Sequence, residues 1–399
     1  MVEVQTVSQC PPGDELCEVR FFETEVIIVP VLLIAASCLV GGCILWMRCR
    51  NLKSLQTPGL VSEGWALSTA RTALQVPDSS LGQWEVPRER IIGGMKLVAR
   101  GRYGPIYQAC LAPSGSEKER PIIVKELQDS PSPALAMQFV ERIRFQSNIG
   151  KHPNLATMMG CCTKQEPICL LVESLGLGDL LGFLWLCRKD MVMGEMAYDL
   201  TEKQVFNIAS QVASALEYLH TKGLVHGYVS ARNVLLAQDL TVRLGSLHIP
   251  FQMQDCRRIL PRDMAPQKWQ APENLMKRPL SPKSDVWSFG ILLYEMITLG
   301  APPYGELSPS GVLQYLQRGH RMSQPANCRS FLYRLMKQCW EWRGDLRPSV
   351  PDLRKKIGEG MKGADDRTVI RIPHRIDPEA YAVVTGTFRD SWPQDYTIL

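Results

Sequence analysis

Gly101, Gly104 and Lys125 are the residues of this chain most suited to phosphate chemistry. The glycines lie in Ala99-Arg100-Gly101-Arg102-Tyr103-Gly104-Pro105-Ile106, and the lysine closes Ile122-Ile123-Val124-Lys125. Glycine lets backbone N–H groups come close to an anion, and an ammonium neutralises its charge. A second cluster, His226-Gly227-Tyr228-Val229-Ser230-Ala231-Arg232-Asn233, offers imidazole, phenol and amide groups, and Ser246 follows soon after. Thiolate-metal chemistry is not expected: there are 13 cysteines but no Cys-x-x-Cys pair, so a structural zinc site is not predicted.

Positioning these residues requires a sizeable fold, and the composition supplies one. Of 399 residues 45% are hydrophobic and 21% charged, enough for one large core plus extensions. A formal charge of +5 argues against a dedicated nucleic-acid binder, and no repeat or coiled-coil pattern is present. Short β-like runs (95–98, 105–111, 121–126 and 168–173) precede long helical patterns such as 202–219. The predicted class is α+β: a small β-rich N-lobe, a large helical C-lobe, and one transmembrane helix ahead of both.

That helix is read from Val26 to Met47, 22 residues without a charge. At about 1.5 Å per residue it spans roughly 33 Å, enough for the hydrocarbon core of a bilayer. Six acids precede it, whereas Arg48, Arg50 and Lys53 follow, so the bulk of the chain is expected in the cytosol. The expected location is the plasma membrane or an endomembrane, single-pass, with the N-terminus outside. Cys10 and Cys17 could pair or bridge two chains, Cys49 could be palmitoylated, and Ser37 with Gly41 could let the span self-associate. The predicted organisation is an outer segment 1–25, a span 26–47, a juxtamembrane linker 48–85, a folded domain 86–362 and a polar tail 363–399.

Within 86–362 the motifs follow a familiar order. They are the glycine run, Lys125, Lys151-His152-Pro153-Asn154-Leu155, Gly178-Asp179-Leu180 and Ala231-Arg232-Asn233. After these come Lys268-Trp269-Gln270-Ala271-Pro272-Glu273, Ser284-Asp285-Val286-Trp287-Ser288-Phe289-Gly290 and Arg347-Pro348. In this order the chain resembles the protein kinases, in its tyrosine-kinase branch, with spacing nearest the fibroblast growth factor receptors. The resemblance implies a bilobal kinase-like fold. It places a nucleotide against Ala99, Gly101, Gly104 and Ile106, against Ile123 and Lys125, and against Val172, Glu173, Leu175 and Leu235. It pairs Glu273 with Arg347 and makes Asp285 the brace of the catalytic loop.

At the positions that carry chemistry the chain departs from the family pattern. Ala99 replaces the first glycine, and Ile123 replaces a small residue against adenine. Arg142 stands where the lysine's helix Glu belongs, unless the register slips to Glu141. Tyr228 replaces the base Asp; a phenol titrating near 10 is no resident carboxylate at neutral pH. Asn233 is retained as a magnesium ligand, but Ser246 replaces the principal magnesium Asp and is a poor ligand for a hard dication. The cofactor expectation is weak ATP binding without strong dependence on magnesium.

The segment from Ile249 to Gln267 contains no Ser, Thr or Tyr, so phosphorylation there cannot activate the domain. Its charges, Asp255, Arg257, Arg258, Arg262 and Asp263, form either a docking face or a solvated loop. In the tail, Tyr381 and Tyr396 are candidate phosphosites for SH2 domains, and Thr397-Ile398-Leu399 fits PDZ recognition. The expected function is that of a membrane-anchored pseudokinase, a signalling scaffold or allosteric partner for receptors, kinases or SH2 and PDZ proteins. The alternatives are a tyrosine-family kinase with weak residual transfer to protein, and a decayed relative whose fold persists without a task.

Overall fold

Alternation of period two in Arg120–Glu126 places Ile122 and Val124 on one face of a strand and Ile123 and Lys125 on the other. That strand is β3 of the computed structural model, which describes residues 79–113, 118–188, 198–245, 251–252 and 266–387. The run 26–47, Cys10, Cys17, Cys49, Ser246, the loop charges at 255–263, Tyr396 and the terminal Thr397-Ile398-Leu399 lie outside the described residues. Among the described residues no helix is long and apolar enough to cross a membrane.

The N-lobe is a five-stranded antiparallel sheet in the order β1-β2-β3-β5-β4. Its strands are β1 Ile91–Gly101, β2 Gly104–Leu111, β3 Arg120–Glu126, β4 Met158–Cys162 and β5 Cys169–Glu173. Strand β4 has no counterpart among the runs read from sequence, because Met-Met-Gly-Cys-Cys lacks both alternation and β-branched residues. One sheet face packs on helix α2, Pro133–Asn148, through Phe139, Ile143, Met158, Ile168 and Leu170. Pro133 in the first turn and the Ser132 side chain, which accepts from Leu135 N–H, start that helix. Its inward stripe is Ala136, Phe139, Val140, Arg142, Ile143 and Gln146, at helical spacing, and one member is a cation.

The one-turn helix α1, Ser79–Gly82, and the strand-like stretch after it join this lobe before residue 86. Leu81 and Trp84 pack into its core, Val86 N–H donates to Cys161, and the Glu85 carboxylate accepts from Thr163 N–H at 2.9 Å. The linker therefore ends earlier than its polar composition suggests.

The C-lobe is helical: α3 Leu180–Leu186, α4 Glu202–Thr221, α5 Pro272–Leu275, α6 Pro282–Ile297, α7 Val312–Gln317, α8 Ser330–Cys339 and α9 Val350–Gly363. Helix α4 opens with a capping box of Thr201 and Gln204. Helix α6 is buried nearly all round, as its apolar sequence requires. At Gly290 a Cβ would lie 2.6 Å from Cys339 Cβ, so this glycine is what lets α8 approach. Short strands β6 Leu224–Val225, β7 Val234–Leu236, β8 Val242–Leu244 and β9 Phe251–Gln252 pair as β6-β9 and β7-β8.

The tail reading is corrected for residues 364–387, which fold back on the C-lobe. Ile370 N–H donates to Leu200, and the buried Arg188 guanidinium ties His374 to Thr298 and Leu299 through their carbonyls. Helix α10, Pro378–Thr385, buries Tyr381, whose ring meets Trp185 edge-on at 5.2 Å. A polar composition hid the few residues, Ile370, Tyr381 and Ala382, that hold this segment down.

Candidate functional site

The sheet register gathers the predicted nucleotide residues. Ile106 lies opposite Lys125, and Ile123 lies opposite Val172, so directly opposed side chains share one face of the sheet, the face that packs on α2. Ala99 pairs with Ile106, and Gly101 with Gly104 at the hairpin tip. Glu173 ends β5, with Leu175 in the connection to the C-lobe, and Leu235 sits on β7 below. The Glu173 carboxylate accepts from Thr157 N–H and pairs with Arg243 of β8 at 3.1 Å, a clamp between lobes that motif reading did not find.

The hairpin tip does not stand free of the cleft. Tyr103 C=O accepts from Gln128 N–H at 2.7 Å, and at Gly104, with φ of +148°, a Cβ would lie 2.5 Å from that same nitrogen. Only glycine fits there. The Tyr103 ring turns inward onto Phe139, 5.2 Å away, with the Arg142 guanidinium 5.6 Å from its centroid. Sequence reading passed over Tyr103; an aromatic side chain at a glycine-loop tip was the available signal.

Helix register separates Glu141 from Arg142. Glu141 is exposed, and Arg142 is buried beside Lys125. Burial, reinforced by the Arg142 charge, lowers the Lys125 pKa to about 7. Burial also lowers the Arg142 pKa, and Tyr103 opposes that. Among the described residues no carboxylate pairs with either cation; Glu126 lies on the opposite face of β3 and pairs with Arg88.

In the C-lobe the catalytic-loop segment is held from several sides. Asp285, fully buried at the start of α6, accepts from His226 N–H at 2.9 Å and Gly227 N–H at 2.8 Å, and its carboxylate also meets His220. His226 Nδ1 accepts from Tyr228 N–H, which leaves Nε2–H to donate to Gly245 C=O at 3.0 Å. Burial lowers the His226 pKa, which keeps the ring neutral. Glu273 and Arg347 meet in a two-pronged pair at 2.7 and 2.8 Å, with Ser284 donating to the same carboxylate and Arg347 lying over Trp287. Burial pushes the Glu273 pKa up, but the Arg347 bonds outweigh it and hold the carboxyl below its usual range.

Tyr228 belongs to the core. Its ring is buried and meets Trp269 edge-on at 6.1 Å. Trp269 is fixed by donating to Glu295, whose buried carboxyl also accepts from Ala231 N–H and is pushed up to about 8. Burial pushes the Tyr228 pKa up to about 12, so a proton-accepting phenolate is not available near neutrality. Asn233 donates an amide N–H to Tyr228 C=O at 2.9 Å. Ser246, which the resemblance sets at a magnesium-carboxylate position, lies outside the described residues. Among the described residues no group of three or more His, Cys, Asp or Glu side chains could hold a metal ion.

Residues 93–357 match the protein tyrosine and serine/threonine kinase family. The chain belongs to that family. It is 38% identical to tyrosine-protein kinase STYK1 of Homo sapiens over 414 residues, covering 98% of each chain, and equally identical to the Mus musculus protein of that name. It is also 32% identical to fibroblast growth factor receptor 1 of Xenopus laevis, over 74% of this chain and 37% of the receptor. The family carries a nucleotide and magnesium site in general. In this member Glu273 pairs with Arg347, and Asp285 binds the backbone of His226 and Gly227.

Proposed function

We propose that this chain is a membrane-anchored pseudokinase that acts in signalling as a scaffold or allosteric partner, binding other receptors or cytosolic kinases through its kinase-fold domain. The single observation that carries the reading is the Tyr228 ring, seated in the C-lobe core at the position where a base carboxylate would face substrate. Loss of a general base costs about 10² to 10⁴ in rate, and loss of metal charge neutralisation costs more. The apolar run 26–47 with its basic inner flank supports the anchor and a cytosolic domain. Recruitment through the tail falls to Tyr396, since Tyr381 is buried. The test is transfer of the ATP γ-phosphate by full-length chain in detergent, beside Lys125→Met. Equal background in both supports the reading, and transfer that Lys125→Met abolishes contradicts it.

A second reading, a kinase of weak residual activity toward protein, is favoured by Lys125 and by the relatives named as tyrosine-protein kinases. It requires a base other than Tyr228, and that same assay separates the two.

A further inference from the structure

Two free cysteines face each other across the β4-β5 hairpin. Cys162 and Cys169 are register partners, and their side chains share the sheet face opposite α2 with Ile122, Val124 and Leu171. Backbone bonds fix the kind of pairing. Cys161 turns both its N–H and its C=O outward, to Trp84 and Val86, so its neighbour Cys162 turns them toward β5; Leu127 N–H bonds Ile168 C=O, so Cys169 turns its own toward β4. In such a hydrogen-bonded pair the Cα atoms lie about 5.5 Å apart, inside the span of about 4.4 to 6.8 Å that a disulfide bridges. The Cys162 thiol donates to Val86 C=O at 3.1 Å, and the Cys169 thiol donates to the Cys162 sulfur. That thiol bond, with the Arg88 charge in support, lowers the Cys162 pKa against the effect of burial and raises that of Cys169. Cys161 belongs to the face toward α2, where burial, reinforced by the Glu85 carboxylate, pushes its thiol up to about 12.

We propose that Cys162 and Cys169 are a peroxide-sensitive dithiol that closes a reversible disulfide across the β4-β5 hairpin. Cys162 is the attacking thiol. Its thiolate takes one oxygen of hydrogen peroxide, the O–O bond breaks, and the hydroxide that leaves becomes water with the proton the thiol released. The Cys169 sulfur then attacks the resulting sulfenic acid at sulfur: the S–S bond forms, the S–O bond breaks, and a second water carries off the Cys169 proton. Two thiols are oxidised, and one peroxide is reduced to two waters. Access is from the sheet edge, because β4 ends the sheet order and the stretch around Val86 is joined to it by the two backbone bonds of Cys161. Both thiols are buried, so local opening of that stretch sets the rate. Closing the disulfide takes from Val86 C=O its thiol donor, at the point where the chain enters the N-lobe.

The experiment exposes full-length chain in detergent to hydrogen peroxide, blocks the remaining thiols with N-ethylmaleimide before unfolding, and maps tryptic fragments by mass spectrometry. Trypsin cuts after Lys164, between the two cysteines, so the disulfide leaves peptides 152–164 and 165–188 joined. Each peptide holds a second cysteine, Cys161 in one and Cys187 in the other, and fragmentation of the joined pair locates the bond. The expected result is a Cys162–Cys169 link that grows with peroxide, is lost on adding dithiothreitol, survives in Cys161→Ala and is absent in Cys162→Ala and Cys169→Ala. The wild-type map decides by itself, so the outcome does not depend on how well the alanine variants fold. No joined pair in the wild type, a link that fragmentation places on Cys161 or Cys187, or one that forms only in covalent dimers would overturn the proposal. So would equal yield from chain oxidised in urea, since the strand register would then play no part. None of these readouts involves phosphoryl transfer, so the pseudokinase reading stands or falls separately.

Discussion

The two lobes treat buried charge in opposite ways. In the C-lobe, Glu273 meets Arg347 in a complete two-pronged pair, and Asp285 accepts from two backbone N–H groups. In the N-lobe, Lys125 faces Arg142 with no carboxylate between them among the described residues. The contrast separates residues that hold a kinase fold together from residues that run its chemistry. The first set is intact and mutually satisfied, whereas on the proposed reading groups that fill space or gather positive charge stand in for the second.

The sharpest way to break the comparison is to open the C-lobe pair. Arg347→Ala leaves the Glu273 carboxylate buried without its partner and should cost about 3–5 kcal/mol, read as a drop in urea midpoint, or abolish folding. The equivalent N-lobe change, Arg142→Met, should raise stability, because it removes a repulsion and fills an apolar stripe. Equal losses from both variants would erase the distinction.

Tyr381→Ala should cost about 3 kcal/mol by emptying the space beside Trp185. A loss near zero would return the 364–387 segment to the status of an open tail. Limited proteolysis gives an independent check: cleavage within 364–387 should be slow in the wild type and fast in this variant.

Lys125 supplies a prediction in pH. Its folded pKa lies near 7, well below 10.5, so above pH 7 the folded chain releases a proton that the unfolded chain keeps. Stability should therefore rise as pH climbs from about 7 to 8.5, and be flat with respect to this group at lower pH. Over that range the melting temperature of the wild type should gain on that of Lys125→Met, because the opposing contribution of Glu295 and the parallel one of Lys268 are common to both, and the gain should shrink in Arg142→Glu, where an opposite charge raises the lysine's pKa. A slope unchanged in Lys125→Met would mean that another group sets it. The smallest effect is expected at the partly exposed clamp: a double-mutant cycle of Glu173→Gln with Arg243→Gln should give a coupling below about 1 kcal/mol.

Much of this fold was legible because period-two and helical patterns survive in β3 and α4, and because motif order fixes which elements follow. The architectural pair and brace were legible for that reason too. Four features were not. Strand β4 lacks β-branched residues and is held by pairing with β5, a tertiary effect. Docking of 364–387 depends on a few isolated apolar side chains and on backbone carbonyls bound by Arg188, which no local pattern announces. The inward turn of Tyr103 depends on Arg142, a residue far along the chain. The choice between Glu141 and Arg142 needed the helix phase, which a one-residue uncertainty in sequence alignment hides.

The most direct test of a kept frame without its chemistry is to put the carboxylates back. Tyr228→Asp with Ser246→Asp, combined with Arg142→Glu, should turn a full-length chain without measurable γ-phosphate transfer into one that transfers in the presence of magnesium. A wild-type chain that already transfers as fast as this variant, by a reaction that Lys125→Met abolishes, would contradict the account.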